Sequence, residues 1–364
     1  CFEVCPIEPV KAINFSQKDE IIEEKIGAII VATGYQVQDA ARYGEYGGGK
    51  YADVITGLQF ERLASASGPT SGKIIRPSDK TVPKTIVFIH CVGSRDRQKE
   101  IEYCSKICCM YTAKHTMLYK HKVHDGKAIV FYIDIRCGGK NYDEFSRRAM
   151  EKDGAIYLRG RVSRIYKSGD KLMVKGADTL SNSQVLVEAD MVVLATVVQP
   201  QPNIKELNQT LHLAQDRYNF FTEAHPKLRP VETASAGIFI AGTCQGPMDI
   251  PETVAQASAA ACKTLVLFSK EKIERPPIVA KVNRSLPPVF STCIGCFYCE
   301  KVCPYNAIAR EEIKSRSGEV LKVVAKVNEV LCQGCGLCTT VCRSKAVELS
   351  GFTDQEIFAE IDAL

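Results

Sequence analysis

The sequence lacks several features that would assign it to a common class of protein. No apolar stretch approaches the roughly 20 residues of a membrane-spanning helix, and the longest, from Met191 to Val198, is typical of a buried strand. No basic run is long enough to indicate nucleic-acid binding, although the formal net charge is +5. We therefore predict neither a direct membrane span nor a nucleic-acid partner. The sequence begins at Cys1 without an initiator methionine, and its first residues do not have the pattern that would predict a signal peptide.

The glycine motif of dinucleotide-binding domains, G-x-G-x-x-G, is missing as well. In such a domain, the predicted strand from Thr85 to His90 would lead directly into that motif and a helix. Here it leads into Cys91-Val-Gly-Ser-Arg-Asp96. Without the glycines, a nicotinamide pyrophosphate loses its close approach to the backbone. We infer a Rossmann-like domain that does not bind NAD(P)H, and the same absence leaves an FAD pyrophosphate without its usual loop.

Cysteine, by contrast, is abundant, with 17 residues whose spacings are typical of metal ligands. Such usage predicts a reducing cytoplasm and argues against secretion. Two runs near the C-terminus share the spacing C-x-x-C-x-x-C-x-x-x-C of a bacterial two-cluster ferredoxin, in which the fourth cysteine of each run binds the other run's cluster. We define the first ferredoxin site as Cys293, Cys296, Cys299 and Cys342, and the second ferredoxin site as Cys332, Cys335, Cys338 and Cys303. Each is predicted to hold one [4Fe-4S] cluster; disulfides or zinc are the alternatives, and the spacing fits paired zinc motifs less well.

Four further cysteines occur where the strand after Thr85 gives way to a predicted helix. We define the Cys91 site as Cys91, Cys104, Cys108 and Cys109. Cys104 and Cys108 are predicted to lie one helical turn apart, with Cys109 beside them and Cys91 reaching in from the strand end. Four soft thiolates favour an iron–sulfur cluster. The alternative is a set of buried, inert cysteines that act as small hydrophobic residues.

The first residues, Cys1-Phe-Glu-Val-Cys5-Pro6, repeat the ending of the first ferredoxin run. We interpret them as the tail of another ferredoxin module whose remaining cysteines lie upstream; the alternative is a chance match. On this interpretation, Cys1 and Cys5 share clusters with residues outside this sequence. The chain would then be a split gene product or a truncated one.

Three stretches indicate a flavin site. Ala32-Thr33-Gly34 follows a β-branched apolar strand, an arrangement common where a flavoprotein strand passes FAD. A second strand ends at Gly242, and a helix rich in small residues is predicted to begin near a cap at Asp249 or Ile250. The free amides of that helix N-terminus would stabilise negative charge on a reduced isoalloxazine; the alternative is an ordinary buried alanine-rich helix. The predicted cofactor contacts are Thr33, Gly34, Gly242, Thr243, Asp249, Ile250, Gln256 and Ala257.

Several specific motifs are spread over essentially the whole chain. They are the Cys91 site with Cys-Val-Gly-Ser-Arg-Asp at its front, Cys108-Cys-Met-Tyr-Thr-Ala-Lys114, Asp134-Ile-Arg136, the run from Gly246 to Ala260, and the closing ferredoxin runs. Together they resemble the A subunit of heterodisulfide reductase, which is the flavin and iron–sulfur subunit of that enzyme in methanogens and related anaerobes. Cys137 replaces the small apolar residue that is usual in that family after Asp-Ile-Arg, and we interpret it as a packing residue. Thr243 stands where many disulfide-reductase-like flavoproteins have aspartate, and the family's N-terminal domain is absent from this sequence.

The resemblance implies an α/β fold of thioredoxin-reductase-like, Rossmann-type flavoprotein domains followed by an α+β ferredoxin domain with two [4Fe-4S] clusters. Residues 1–18 are predicted to end an inserted ferredoxin module. Residues 19–83 and 196–272 are predicted to form a partial FAD-binding domain. Residues 84–195 would form an NAD-domain-like unit that carries the cluster of the Cys91 site, and residues 273–364 would form the C-terminal ferredoxin domain.

The resemblance also implies a function, namely FAD-based electron bifurcation in a heterodisulfide reductase complex. Lys114 corresponds to a family lysine near flavin N5, where a cation would stabilise the reduced flavin. The implied partners are the upstream half of the flavin and iron–sulfur subunit, the B and C subunits of heterodisulfide reductase, a hydrogenase or formate dehydrogenase that delivers electrons, and ferredoxin, in a dimer of complexes. The complex would divide electron pairs between ferredoxin and the heterodisulfide CoM-S-S-CoB.

Three other functions remain open at this point. A conventional NAD(P)H-dependent flavoprotein is opposed by the missing glycine motif. An electron-relay scaffold without FAD is favoured by the same absence. A related subunit of a quinone- or NADH-linked complex in a sulfate reducer would share the motifs and could reach a membrane only through its partners.

Overall fold

The computed structural model describes residues 14–98, 101–211, 213–271, 278–285, 291–315 and 317–363, so Cys1 and Cys5 lie outside the described residues. The described residues form sixteen strands and eight α-helices, numbered here in chain order. The strands are β1 Ile29–Val31, β2 Gln36–Val37, β3 Val54–Thr56, β4 Thr85–Val92, β5 Lys127–Tyr132, β6 Ile156–Arg159, β7 Val162–Ser168, β8 Lys171–Asp178, β9 Ser183–Ala189, β10 Met191–Thr196, β11 Val198–Gln199, β12 Ile238–Ile240, β13 Ala280–Val282, β14 Ile308–Lys314, β15 Val320–Val327 and β16 Val347–Leu349. The helices are α1 Gly57–Ala64, α2 Cys108–Lys122, α3 Tyr142–Glu151, α4 Ile204–Leu211, α5 Ile250–Phe268, α6 Tyr298–Val302, α7 Leu337–Thr340 and α8 Asp354–Asp362.

A five-stranded parallel sheet in the order β3-β10-β4-β5-β6 forms the centre of the larger unit. Its inner strands are continuous apolar runs: β10 is buried at all six positions and β4 at seven of eight. Such runs are typical of parallel strands that are covered on both faces. Because parallel strands end at the same edge of a sheet, Cys91 in β4 and Asp134 after β5 lie at one edge.

Different structures cover the two faces of this sheet. Successive residues of a strand point to opposite faces, so Phe88 packs with Phe60 of α1 and Tyr119 of α2, whereas Ile89 packs with Val174 of the antiparallel sheet β7-β8-β9. The rings of Phe60 and Phe88 meet edge to face at 5.4 Å between centroids. This packing fixes α2, and therefore its cysteines, against the end of β4.

A smaller unit contains β1 and β12, the two strands that precede predicted flavin contacts. β1 and β12 pair in parallel, with Val31 opposite Ile240, and the segments that follow both strands therefore lie side by side. Helix α5 begins at a capping box in which Asp249 and Glu252 each accept the other's backbone N–H, and Pro251 occupies its first turn. The predicted helix start at Asp249 and Ile250 is confirmed.

The ferredoxin module consists of two similar halves around one core. β13 pairs with β16 and β14 with β15, all antiparallel. The short helices α6 and α7 each follow the second cysteine of a run and begin after a left-handed residue, Phe297 in one half and Gly336 in the other. Cysteines from both runs, including Cys293 and Cys332, pack in the single core of this module.

The structure differs from the sequence predictions in three places. Residues 35–83 are rich in Gly, Ser and Pro, and this composition predicts an irregular connection. They instead contain β2, β3 and α1, and β3 joins the large parallel sheet. Helix α2 begins at Cys108, because Lys106 has a left-handed φ of 61° that interrupts any earlier turn; Cys104 therefore precedes the helix. Residues 183–189 form β9, which we did not predict. Among the described helices, none combines the length and the apolar composition that a membrane crossing requires.

Candidate functional site

The four cysteines of the second ferredoxin site line a single cavity. Cys303 comes from the first cysteine run, and Cys332, Cys335 and Cys338 come from the second, so the structure brings together the crossed combination that the spacing predicts. The rest of the lining is largely apolar and includes Tyr305. A small cavity lined by four cysteines fits an iron–sulfur cube, because a cube requires one thiolate at each iron.

The cysteines of the first ferredoxin site are also gathered. Burial raises the pKa of Cys299, and the negative charges of Cys293, Cys296 and Cys342 raise it further. Thiolates that influence one another in this way are neighbours, and their mutual repulsion would be relieved by a bound cation. The residues present therefore fit a second cluster.

Backbone amides are directed at the cysteine sulfurs of both ferredoxin sites, as is usual around iron–sulfur clusters. In the first site, the N–H of Ala325 lies 3.5 Å from Cys293 Sγ, and the N–H of Ala346 lies 3.2 Å from Cys342 Sγ. The matching contacts in the second site are the N–H groups of Ala280 at 3.4 Å from Cys332 Sγ and of Ala307 at 3.3 Å from Cys303 Sγ.

A glycine is required at position 295, in the first cysteine run, because of both the backbone angle and the neighbouring atoms. Its φ is 76°, and a Cβ there would lie 2.6 Å from the carbonyl oxygen of Val323. We expect Gly295→Ala to destabilise the module by about 1–2 kcal/mol for the left-handed backbone and by about 1–3 kcal/mol more for overpacking. The measurement is the temperature at which the visible absorbance of the clusters is lost under anaerobic conditions.

Gly318 provides the matched control for that substitution. Its φ is 89°, but no atom lies within 4 Å of the position that its Cβ would occupy. Gly318→Ala should therefore lose only the stability that the left-handed backbone costs. Equal losses of stability in the two variants would show that the contact with Val323 is unimportant.

The Cys91 site brings its four cysteines to the carboxyl edge of the large sheet. Cys91, Cys108 and Cys109 are buried, and Cys104 is partly exposed. Cys91 has a left-handed φ of 57°, an unfavourable conformation for a residue with a Cβ. Strain of this kind at a strand end is found where a side chain is held for a function, and here it accompanies contact between Cys91 and Cys108.

The electrostatics of the Cys91 site favour the thiolate at two of its four cysteines, Cys91 and Cys109. Hydrogen bonding to these two sulfurs raises the pKa of Cys108, and burial raises the pKa of Cys104. Hydrogen bonding from the Cys108 thiol lowers the pKa of both Cys91 and Cys109, and His90 lowers both further. Additional donors point at the sulfurs: the N–H of Arg136 lies 3.5 Å from Cys109 Sγ, and the N–H of Lys106 lies 3.3 Å from Cys104 Sγ. Buried cysteines that act only as hydrophobic residues need no such donors, so the arrangement fits a cluster better than inert packing.

A large cavity of about 880 Å³ lies between the larger and the smaller unit. This volume is within the range of small-molecule and cofactor pockets, roughly 300–1,000 Å³. Its lining includes Lys106, Met110 and Lys114 in and before α2, and Asp249 and Ile250 at the start of α5. The positive end of the α5 backbone dipole therefore borders the cavity.

Lys114 reaches this cavity as one member of a charged group. Its Nζ lies 2.7 Å from Oε1 of Glu61, and Nε2 of the buried His115 lies 2.7 Å from Oε2 of the same carboxylate. The hydrogen bond from His115 is the largest cause that lowers the pKa of Glu61 to about 2, and Lys114 lowers it further. Burial lowers the pKa of His115, so a neutral imidazole donates its Nε2 proton to Glu61.

The predicted flavin contacts are only partly brought together. Thr243, Asp249 and Ile250 line the cavity. Gly242 and Gln256 instead contact each other, since the N–H of Gly242 donates to Gln256 Oε1 at 2.7 Å, and Ala257 is exposed. Gly34 has a left-handed φ of 73° with open space around it. Within the described part of the chain, Thr33 Oγ1 is buried without a hydrogen-bond partner, which suits a polar group of a cofactor.

Four residues of this region were missed by sequence reasoning, namely Glu61, Lys106, Glu252 and Tyr142. Glu61 lies in a stretch that was predicted to be irregular, so its pairing with Lys114 had no signal in the sequence. An ion pair joins Lys106 to Glu252 of α5, and Tyr142 Oη lies 3.1 Å from Asp249 Oδ2. Both contacts link the larger unit to the start of α5, and long-range pairs of this kind cannot be inferred from spacing.

Comparison with known proteins first defines the class of the C-terminal module. Residues 292–346 match the family described as 4Fe-4S dicluster domain. The prediction of [4Fe-4S] clusters in this module is confirmed, as is the α/β class with a ferredoxin domain at its end. The assignment of individual cysteines to clusters stays a prediction. Among solved structures, a thioredoxin reductase of T. acidophilum matches 66% of this chain and 65% of its own at a TM-score of 0.41 and 16% identity.

Curated relatives then identify the chain as a homologue of the A subunit of heterodisulfide reductase, which confirms the resemblance seen in the sequence. The A subunit of the "H(2):CoB-CoM heterodisulfide,ferredoxin reductase" of Methanothermobacter thermautotrophicus is 44% identical over 313 residues, 86% of this chain and 46% of the relative. An iron-sulfur subunit of the same type, from the "CoB--CoM heterodisulfide reductase" of Methanopyrus kandleri, is 43% identical over 359 residues, 97% of this chain and 52% of the relative. The chain spans about half the length of the curated relatives that it matches.

Proposed function

We propose that this chain is the flavin-binding, electron-transferring part of a heterodisulfide reductase complex. The complex would divide electron pairs from a two-electron donor between a low-potential ferredoxin and the heterodisulfide CoM-S-S-CoB, which is reduced on partner subunits. The names of the relatives, which include heterodisulfide and ferredoxin, support this proposal. When bound, FAD supplies the conversion between two-electron and one-electron transfer.

One observation carries the proposal: the large cavity shares a wall with the Cys91 site. Ile107 and Met110 line the cavity, and Cys108 and Cys109, which lie between them in sequence, point into the cysteine group on the other side. A cluster at the Cys91 site and a flavin in the cavity would therefore be separated by about one turn of α2. Short separations of this kind favour single-electron transfer between the two groups.

The residues around the cavity fit an isoalloxazine that gains negative charge. The start of α5 supplies the positive end of its backbone dipole, and Lys114 supplies a cation in the lining of the cavity. The glycine loop for the FAD pyrophosphate is missing from this sequence, so we propose that the upstream half of the flavin and iron–sulfur subunit holds the pyrophosphate.

The partners belong to the proposal as well. We propose the B and C subunits of heterodisulfide reductase, ferredoxin, and a hydrogenase or formate dehydrogenase that delivers electrons, arranged as a dimer of complexes. A relative from Methanococcus maripaludis belongs to an enzyme named "H(2)/formate:CoB-CoM heterodisulfide,ferredoxin reductase", and that name supports hydrogen or formate as the source of electrons.

The test is the cofactor content of the native complex, purified without oxygen. We expect about one FAD per chain together with iron and acid-labile sulfide, and no rapid bleaching of the flavin by NADH. A complex rich in iron but free of flavin would instead identify the chain as an electron-relay scaffold. Rapid flavin reduction by NADH would favour a nicotinamide-linked flavoprotein.

A further inference from the structure

The two ferredoxin sites have matching backbone environments. Each receives one amide from a neighbouring strand and one amide four residues after its remote cysteine, at distances between 3.2 and 3.5 Å. Because amide donors raise the potential of a cluster by stabilising its more negative reduced state, this contribution is nearly equal in the two sites. Differences between the side chains of the two sites then separate their potentials.

The side chains at corresponding positions differ in charge. In the second run, the two residues after Cys338 are Thr339 and Thr340, whereas the first run has Glu300 and Lys301 after Cys299. After the remote cysteines, Cys303 of the second site is followed by proline and Cys342 of the first site by arginine. The cavity of the second site is lined without any lysine, arginine, aspartate or glutamate from the described residues.

Cations gather beside the first site. Lys301 Nζ lies 5.6 Å and the Arg343 guanidinium 5.2 Å from the ring centroid of Tyr298, which lies between Cys296 and Cys299 in the sequence. Neither cation has an acidic partner within the described part of the chain. The one acidic residue of this run, Glu300, is offset by Arg310, whose Nη2 lies 2.9 Å away.

A hydroxyl adds to the same imbalance. Oγ of Ser344 lies 3.6 Å from Cys342 Sγ in the first site, and Tyr305 occupies the corresponding position in the second. A hydroxyl that donates to a ligand sulfur stabilises the reduced cluster, as the amides do. Charge and hydrogen bonding therefore both favour reduction of the cluster in the first ferredoxin site.

We propose that the first ferredoxin site holds the more easily reduced cluster, so that an electron shared by the two clusters resides mainly beside Cys342. The reason is electrostatic, because reduction adds one negative charge to a cluster. Lys301 and Arg343 both lie over the ring of Tyr298, next to Cys299, and therefore stabilise that charge more in the first site than in the second. This ordering depends on the proposal that the two crossed cysteine sets each hold one cluster.

Both cations are exposed, which makes the ordering sensitive to salt. Exposed charges are screened over a Debye length of roughly 10 Å at 0.1 M ionic strength and about 3 Å at 1 M. The separation between the two cluster potentials should therefore shrink as salt is added. Hydrogen bonds from Ser344 and the amides should persist at high salt, because they act at contact distance.

The experiment compares two variants of the native complex by redox titration monitored by electron paramagnetic resonance. Arg343→Gln removes a cation from the first site, and Thr340→Lys introduces one at the position in the second run that corresponds to Lys301. Arg343→Gln should lower only the higher of the two ferredoxin potentials, and Thr340→Lys should raise only the lower one. Each should change the ratio of reduced to oxidised cluster at a fixed potential by about threefold to tenfold, with signals of other clusters unchanged.

The opposite assignment would overturn the ordering. It would be seen if Arg343→Gln moved the lower potential or if Thr340→Lys moved the higher one while iron and sulfide contents stayed complete. Potentials that moved in neither variant would show that charge does not set the order. An unmodified complex that contains no iron or sulfide would instead contradict the presence of the clusters themselves, so the two failures are distinguishable.

Discussion

Replacing Cys109 by alanine should remove one complete iron–sulfur cluster from the native complex, a loss of about four iron atoms per chain. The thiol of Cys109 is buried beside Cys91 and Cys108 and receives the N–H of Arg136. An alanine offers no ligand for the fourth iron, and burial of this position shields it from a solvent ligand. The measurement is iron and sulfide per chain, together with the low-temperature resonance signals of the reduced complex.

Cys137 is the matched control for that substitution. It lies just beyond Arg136 and close enough for the charge of Cys109 to raise its pKa, but burial is the main cause of that rise. We interpreted it from the sequence as a packing residue, so Cys137→Ala should keep the full iron content. Intact signals from the C-terminal clusters would show that each variant is folded. Unchanged iron in the Cys109 variant would refute the Cys91 site.

The contrast between these cysteines shows what the sequence could reveal. The ligand spacing in the two ferredoxin runs can be read directly from the sequence. In each run, three cysteines lie on one loop and the fourth follows after three further residues. The crossed partnership of Cys303 with the second run followed from the same rule, and the cavity agrees with it. The Cys91 site was detectable for a similar reason, since its cysteines flank one strand-to-helix connection.

What the sequence could not reveal depends on contacts between distant segments. Glu61 meets Lys114 and His115 only because α1 packs beside α2 on one face of the sheet. Helix α1 was not predicted because the segment around it is rich in Gly and Ser, even though Thr56 and Gln59 form its capping box. The left-handed Lys106 that delays the start of α2 could not have been anticipated either, because lysine rarely adopts that conformation.

Lys114, which pairs with Glu61, gives the second large expected effect, a change in the reduction potential of the flavin. In the native complex, Lys114→Gln should lower the two-electron reduction potential of the flavin, because a cation that faces the cavity would no longer offset the charge gained on reduction. A unit charge at this range changes the ratio of reduced to oxidised flavin by about tenfold at a fixed potential. The measurement is a spectroscopic redox titration of the flavin.

The sign of the effect can be tested from the other side of the ion pair. Glu61→Gln removes the anion that partly neutralises Lys114, so it should raise the flavin potential where Lys114→Gln lowers it. Lys120 lies on the same helix, and its Nζ donates to the carbonyl oxygen of Gly126 at 2.8 Å, away from the residues that line the cavity. Lys120→Gln should therefore leave the potential unchanged. Equal shifts in the two lysine variants would mean that net charge, and not the position of Lys114 at the cavity, controls the flavin.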